Sequence, residues 1–399
     1  MTTNYIGNAI YLDHGATTPV HPEVLEAMAP YWNERYGNPS SNHRTGYSAA
    51  QAVNDARELV ADQLGAHPEE IIFTGCGSES NNLALRGVML AARSTGKGNH
   101  LVTSCIEHSA VLETARHLRD YNDHDLTILP VDEHGQINLA AVEVAFRPDT
   151  VLISLMAANN EIGTIQPWAE ICTLARSRGV LFHTDAVQLI ASRHWNLAAE
   201  PVDLMTLAPH KFYGPKGVGI LYVRRGISLV PTQTGGGHES GLRAGTLNVP
   251  LIVGAAAALR LAMSEQAERT RHYMTLRDRL LTGLPDSLPG VCVVTGHPEE
   301  RLPHHASFAF RGISGNDLLM HLDVAGIAAS SGSACSSGDP KPSAILEAIG
   351  LDAEWTKGGL RLTVGLQNTD QDIDHVLSTI PAIVNRLLSL ESRLSPSLV

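Results

Sequence analysis

The sequence predicts an α/β protein: a large domain built on a largely parallel sheet covered on both faces, followed by a smaller C-terminal α/β domain. Three observations carry this. Short apolar runs alternate with helical periodicity between residues 70 and 184. Polar residues able to do chemistry stand where those runs stop, which is where open α/β sheets bind ligands. A long helical stretch over about residues 250–284 then leads, as a connector, to a shorter second set of strands.

In order, residues 9–12 read as a short strand closed by Asp13-His14-Gly15. Pro19 and Pro22 frame a helix start, and residues 24–32 carry helical apolar spacing. The polar cluster from Tyr36 to His43 is a turn. A helix follows over residues 46–64, with Ala50, Val53, Ala56, Leu59, Val60 and Leu64 on one face. Residues 70–74 form a strand that runs into Gly75-Cys76-Gly77-Ser78 and a helix over 79–93. Strand, glycine turn and helix N-terminus can hold an anion on free N–H groups, though a plain tight turn has the same pattern. There is no Gly-x-Gly-x-x-Gly at this turn and no Walker motif in the chain, which weakens dinucleotide and triphosphate readings.

Strands at 100–104, 126–131, 150–156 and 180–184 alternate with helices at 110–120, 139–146 and 167–178. Two further apolar runs, 202–207 and 218–223, flank Ala208-Pro209-His210-Lys211-Phe212-Tyr213-Gly214-Pro215-Lys216-Gly217, so Lys211 lies on a loop between buried elements. Residues 233–246 contain five glycines, and their backbone can approach a ligand closely. Strands near 291–294 and 306–310 start the smaller domain. Its last helix, over about 370–390, is expected to kink or break at Pro381.

The net charge of −12 over 399 residues provides no basic field for nucleic acid or anionic membrane. No apolar run is long enough to span a bilayer, and the N-terminus has no signal-peptide character. The five cysteines are scattered without a Cys-x-x-Cys pair, which fits a reducing cytoplasm and gives no zinc or disulfide framework.

Lys211, Asp185 and the Gly77-Ser78 turn offer an amine, a carboxylate and an anion cradle at strand ends. That set suits pyridoxal 5′-phosphate, which needs one group for its aldehyde, one for its ring nitrogen and one for its phosphate. Taken singly, Lys211 reads as a solvated loop lysine, and Asp185 is as readily a helix N-cap.

Several blocks settle the resemblance. They are Asp13-His14-Gly15-Ala16-Thr17-Thr18-Pro19, Gly37-Asn38-Pro39-Ser40-Ser41, Glu79-Ser80-Asn81-Asn82, Glu107-His108, Asn159-Asn160-Glu161-Ile162-Gly163, His183-Thr184-Asp185-Ala186-Val187-Gln188, His210-Lys211 with the turn after it, and Ser330-Ser331-Gly332-Ser333-Ala334-Cys335. In this order they resemble the NifS/IscS-type cysteine desulfurases, pyridoxal-phosphate enzymes of the class-V aminotransferase group, over about residues 9–385.

The resemblance implies the fold-type I architecture. A large domain (16–260) carries a mostly parallel seven-stranded sheet, and a small domain (1–15 and 261–399) carries the catalytic cysteine loop. It implies that Lys211 holds the cofactor aldehyde, Asp185 pairs with the ring nitrogen and Gln188 reaches the ring hydroxyl. His108 would stack on the ring and serve in proton transfer, and Asn160 would touch the ring. Gly77, Ser78, Ala208 and His210 would hold the phosphate, joined by Thr246 across a homodimer. Arg361, with Asn38, would bind the substrate carboxylate.

Cys335 would be the nucleophile that takes sulfur from L-cysteine, leaving L-alanine and a persulfide for an acceptor protein such as an iron–sulfur scaffold or sulfur carrier. Its Ser/Gly-rich surroundings suit a mobile delivery loop, and its 26-residue spacing to Arg361 resembles the longer-loop branch of the family. No resident metal is implied; Cys335 is at most a transient ligand of an iron–sulfur cluster. Alternatives are a selenocysteine lyase, or a class-V aminotransferase acting on a small amino acid.

Three departures stand out. Ser240 replaces a usual arginine, Cys76-Gly77-Ser78 replaces Gly-Ala-Thr, and Asp339-Pro340-Lys341-Pro342 replaces a Leu-Glu-Pro pattern.

Overall fold

The computed structural model describes residues 9–331 and 342–394. The strands are β1 Ile10–Tyr11, β2 Ile71–Thr74, β3 His100–Ser104, β4 Asp125–Leu129, β5 Thr150–Ser154, β6 Leu181–Asp185, β7 Leu204–Leu207, β8 Gly219–Val223, β9 Cys292–Val294, β10 His305–Phe310, β11 Ile327–Ala328 and β12 Gly359–Thr363. Seven of them form one sheet in the order β2-β8-β7-β6-β5-β3-β4. β3 to β7 run parallel, while β8 runs antiparallel to both of its neighbours, β2 and β7.

Helices cover both faces of this sheet, so its interior strands have no solvated side. β2, β3, β5, β7 and β8 are buried at every position, and their apolar residues accordingly fall on both faces rather than alternating with exposed polar ones. β6 is partly exposed only at Leu181, whereas the edge strand β4 has Asp125 exposed and is fully buried only at Leu129. One buried polar residue stitches the centre. The His183 ring bonds the Ser154 hydroxyl at 2.8 Å through Nδ1 and the Thr206 hydroxyl at 3.1 Å through Nε2, linking β5, β6 and β7. Burial pushes this histidine down to about 3.

A second core gathers Leu12, Leu276, Phe308, Phe310, Leu360, Ile373 and Val384. It lies under the antiparallel sheet β12-β10-β9 and the parallel pair β1-β11. The N-terminal strand thus belongs structurally with the C-terminal elements, and Thr363 N donates to Leu12 O at 2.7 Å.

Two expected helices differ. The stretch over 250–284 is two helices, Val249–Ser264 and Gln266–Ser287, separated at Glu265. The first is buried nearly all round in the large core. The second sends Leu276, Leu280 and Leu284 to the other core, so the chain turns where its packing partner changes. The last helix, Asp370–Leu394, continues unbroken through Pro381. Ile373, Val376, Ile380 and Val384 are fully buried along one stripe, and that packing outweighs the one hydrogen bond proline removes.

Candidate active site

The site lies at the carboxyl ends of β6 and β7. Asp185 is the last residue of β6 and pairs in register with Thr206. Its carboxylate is buried and held at both oxygens: Asn81 Nδ2 donates to Oδ2 at 2.7 Å and Val187 N donates to Oδ1 at 3.1 Å. Among the described residues no Lys, Arg or His is ion-paired with it.

β7 ends at Leu207, and the chain enters a tight 3-10 turn, Pro209–Lys211, rather than an open loop. Lys211 Nζ donates to Gly15 O at 2.6 Å and Ala16 O at 2.8 Å. Gln188 Nε2 reaches the same Gly15 carbonyl at 3.0 Å. His210 Nδ1 bonds the Thr17 hydroxyl at 3.1 Å, and burial, helped by the cations of Lys211 and Lys216, pushes its ring down to about 4. The neutral ring can therefore offer a donor or an acceptor without adding charge.

The glycine turn after β2 opens directly into the helix Gly77–Ser94, so Gly77 and Ser78 are its first residues. This helix begins against the ends of β6 and β7. A Cβ added at Gly77 would meet Ala208 Cβ at 3.3 Å and Val187 Cγ2 at 3.4 Å. Glu79 braces the turn, accepting from Gly75 N at 2.6 Å and from Arg243 Nε at 2.8 Å.

His108 caps the helix Ser109–Asn122, with Nδ1 accepting from Ala110 N at 3.1 Å. Its neighbour Glu107 accepts from Ser104 Oγ at 2.6 Å and from Met156 N at 3.0 Å. Burial raises its carboxyl to about 8. This fixes the turn before His108 against the end of β5.

Arg361 arrives from the smaller unit on β12. Its Nη1 donates to Asn160 O at 2.8 Å and Nη2 to Asp13 Oδ1 at 2.8 Å, while its buried Nε has no partner among the described residues. The four residues 13–16 therefore touch Arg361, Gln188 and Lys211 at once.

Two of the expected residues make no hydrogen bond to this cluster among the described residues. Asn38 is exposed and closes its own turn by accepting from Ser40 N at 2.9 Å. Thr246 is exposed at the end of the glycine-rich loop. Cys335, its surrounding loop and the substituted 339–341 segment lie outside the described residues.

Residues 10–376 match the family model for class-V aminotransferases. The chain belongs to the class-V aminotransferase family. Among curated relatives of this class-V chain, a protein named cysteine desulfurase IscS from Methanosarcina thermophila is 46% identical, covering 97% of this chain and 95% of that one. A solved structure described as a NifS-like protein superposes with a TM-score of 0.89 at 38% identity, covering 95% of this chain and all of that one. Another, described as SspA in complex with cysteine, gives a TM-score of 0.76 at 34% identity, covering 90% of this chain and all of that one.

The cofactor of the family is pyridoxal 5′-phosphate, and this donor set fits it. A buried carboxylate held only by amides suits a protonated ring nitrogen. A helix N-terminus packed against the strand ends suits a phosphate, and the Lys211 amine, in the turn after β7, suits an aldehyde. Asn81, Thr17 and Asp13 were not singled out by sequence reasoning. All three lie inside blocks that carry the family resemblance, but only the contacts reveal what each touches.

Proposed function

We propose that this chain is a pyridoxal-phosphate-dependent cysteine desulfurase. It converts L-cysteine to L-alanine and carries the sulfur as a persulfide on Cys335 to an acceptor protein. The observation that carries this is the convergence of Lys211, Gln188 and Arg361 on residues 13–16, beside the buried Asp185 carboxylate.

Lys211 holds the cofactor aldehyde, Asp185 the ring nitrogen and Gln188 the ring hydroxyl. His108, its Nδ1 committed to the helix cap, would stack on the cofactor ring and serve in proton transfer, and Asn160 would touch the ring. Gly77, Ser78, Ala208 and His210 hold the phosphate, with Thr246 of the partner subunit in a homodimer. When bound, the cofactor supplies an electron sink for charge at the substrate Cα.

The protein's own groups do the rest. Arg361, with an Nε that has no partner among the described residues and a guanidinium fixed on Asn160 and Asp13, binds the substrate carboxylate together with Asn38. Lys211 Nζ moves the proton at Cα. The Cys335 thiolate attacks the substrate sulfur, forming an S–S bond as the Cβ–S bond breaks. L-cysteine and the Cys335 thiol become L-alanine and the Cys335 persulfide, with no outside oxidant or reductant. The acceptor is an iron–sulfur scaffold or a sulfur-carrier protein.

The test is alanine and persulfide formation from L-cysteine. Lys211→Ala should lose the cofactor's visible band and drop turnover by on the order of 10²–10⁴. Cys335→Ala should keep the band and form no protein persulfide. Undiminished sulfide release from Cys335→Ala would overturn the reading.

A further inference from the structure

The helix Gly77–Ser94 turns a stripe of small and apolar residues to the sheet: Gly77, Ala84, Leu85 and Val88 are buried on it. Two polar residues interrupt that stripe. Ser80 is accounted for, since its hydroxyl bonds the Thr74 hydroxyl at 2.7 Å. Asn81 is different. It is 1% exposed, its Nδ2 donates to Asp185 Oδ2 at 2.7 Å, and its buried Oδ1 has no hydrogen-bond partner among the described residues. An amide buried with one end unsatisfied is a poor stabiliser, because desolvating that oxygen costs more than a single bond returns. Packing alone would be better served by an apolar side chain. Its burial makes physical sense if the bond to Asp185 is what the position is for.

We propose that Asn81 is a positioning residue that sets the cofactor's ring nitrogen through Asp185. This rests on the cofactor reading above and adds a residue to it. Asn81 and Val187 N hold one carboxylate oxygen each, which fixes the plane of the carboxylate. Each oxygen keeps a second lone pair for a ring N–H. Asn81 also lies four residues after Gly77 and three after Ser78, one helical turn below them on the same side. One rigid helix therefore sets both the anion cradle at its tip and the carboxylate a turn deeper. The spacing between a cofactor's phosphate and its ring nitrogen is gauged by a single element.

The test measures cofactor affinity on enzyme stripped of cofactor and retitrated with two probes. One is pyridoxal 5′-phosphate, and the other is its analogue with the ring nitrogen replaced by CH. Asn81→Ala should weaken binding of the first about tenfold, the scale of one hydrogen bond to a charged group. It should leave the analogue's affinity within about twofold of wild type, since that probe has nothing to offer Asp185. Asn81→Ser, which keeps a donor, should recover part of the loss and serves if Asn81→Ala does not fold. Equal losses for both probes, or none for either, would overturn the proposal. A wild-type enzyme that binds neither probe would instead bring down the cofactor reading itself, and this inference with it.

Discussion

Arg361 and Asp13 form an ion pair, Nη2 to Oδ1 at 2.8 Å, across 348 residues of chain. The guanidinium is 8% exposed and the carboxylate 21%, so water screens the contact only partly. Asp13 is also two residues from Gly15, whose carbonyl takes the Lys211 amine. One turn thus fixes Arg361 and Lys211 relative to each other.

Arg361→Lys is the first prediction to follow. An ammonium keeps the charge but cannot span Asn160 O and Asp13 Oδ1 while still offering a third donor to a carboxylate. KM for L-cysteine should rise about tenfold or more, with a smaller change in kcat. Steady-state alanine formation measures both, and an unchanged KM would remove Arg361 from substrate binding.

Glu239 poses a stability question. Its side chain is 1% exposed, accepts from Arg57 and from Phe73 N at 2.7 Å, and ties the glycine-rich loop to β2. It adopts φ 48°, followed by Ser240 at φ 56°, so two non-glycine residues in succession sit in the left-handed region. Glu239→Ala would remove the acceptor of the Phe73 amide and the ion-pair partner of Arg57, which keeps its bond to the Ile71 carbonyl. A loss of about 3 kcal/mol is expected, seen as a thermal midpoint lowered by several degrees. A midpoint within one degree of wild type, by the same scale, would contradict the pairing's importance.

Much of this was legible in the sequence. The parallel core strands announce themselves as uninterrupted apolar runs because they are buried on both faces, and Asp185 and Lys211 stand where two of those runs end. β12, which bears Arg361, was not read as a strand. It is a short buried element of the smaller unit whose Gly359-Leu360-Arg361-Leu362-Thr363 carries a charge at its centre. Nor does local pattern reveal that Ile10–Tyr11 pairs with Ile327–Ala328, a contact made only by tertiary folding. Pro381 misled for the opposite reason: local chemistry favours a break, and the buried stripe around it overrides that preference.

Gly219 lies against the turn that follows β2. A Cβ there would lie 2.5 Å from the carbonyl carbon and oxygen of Cys76 and from Thr74 Oγ1. Backbone cannot yield as a flexible side chain can, so Gly219→Ala should push the 75–78 turn outward. Affinity for pyridoxal 5′-phosphate should fall about tenfold or more, on the scale of overpacking at about 1–3 kcal/mol. Titrating stripped enzyme with the cofactor checks this, and wild-type affinity would mean that the turn's position does not govern phosphate binding.

Stability should depend on pH in two opposing limbs. His14, His183 and His210 are lowered by burial, to about 4, 3 and 4. Unfolded, they take up protons at higher pH than they do folded. Their contribution is present above about pH 6.5 and is lost as pH falls toward those values. Glu107, raised by burial to about 8, and Glu161, raised by burial to about 7, act in the other direction. Folded, they hold protons that the unfolded chain gives up. Their contribution is complete below the ordinary carboxyl range and is lost as pH rises through about 7 to 8. Glu107→Gln removes one titrating group while keeping an acceptor for Met156 N and a partner for Ser104. Thermal midpoints between pH 4 and 9 should therefore fall less steeply for the variant than for wild type on the alkaline side, and should run parallel to wild type on the acid side. Identical alkaline limbs would mean that Glu107 is ionised in the folded protein throughout that range.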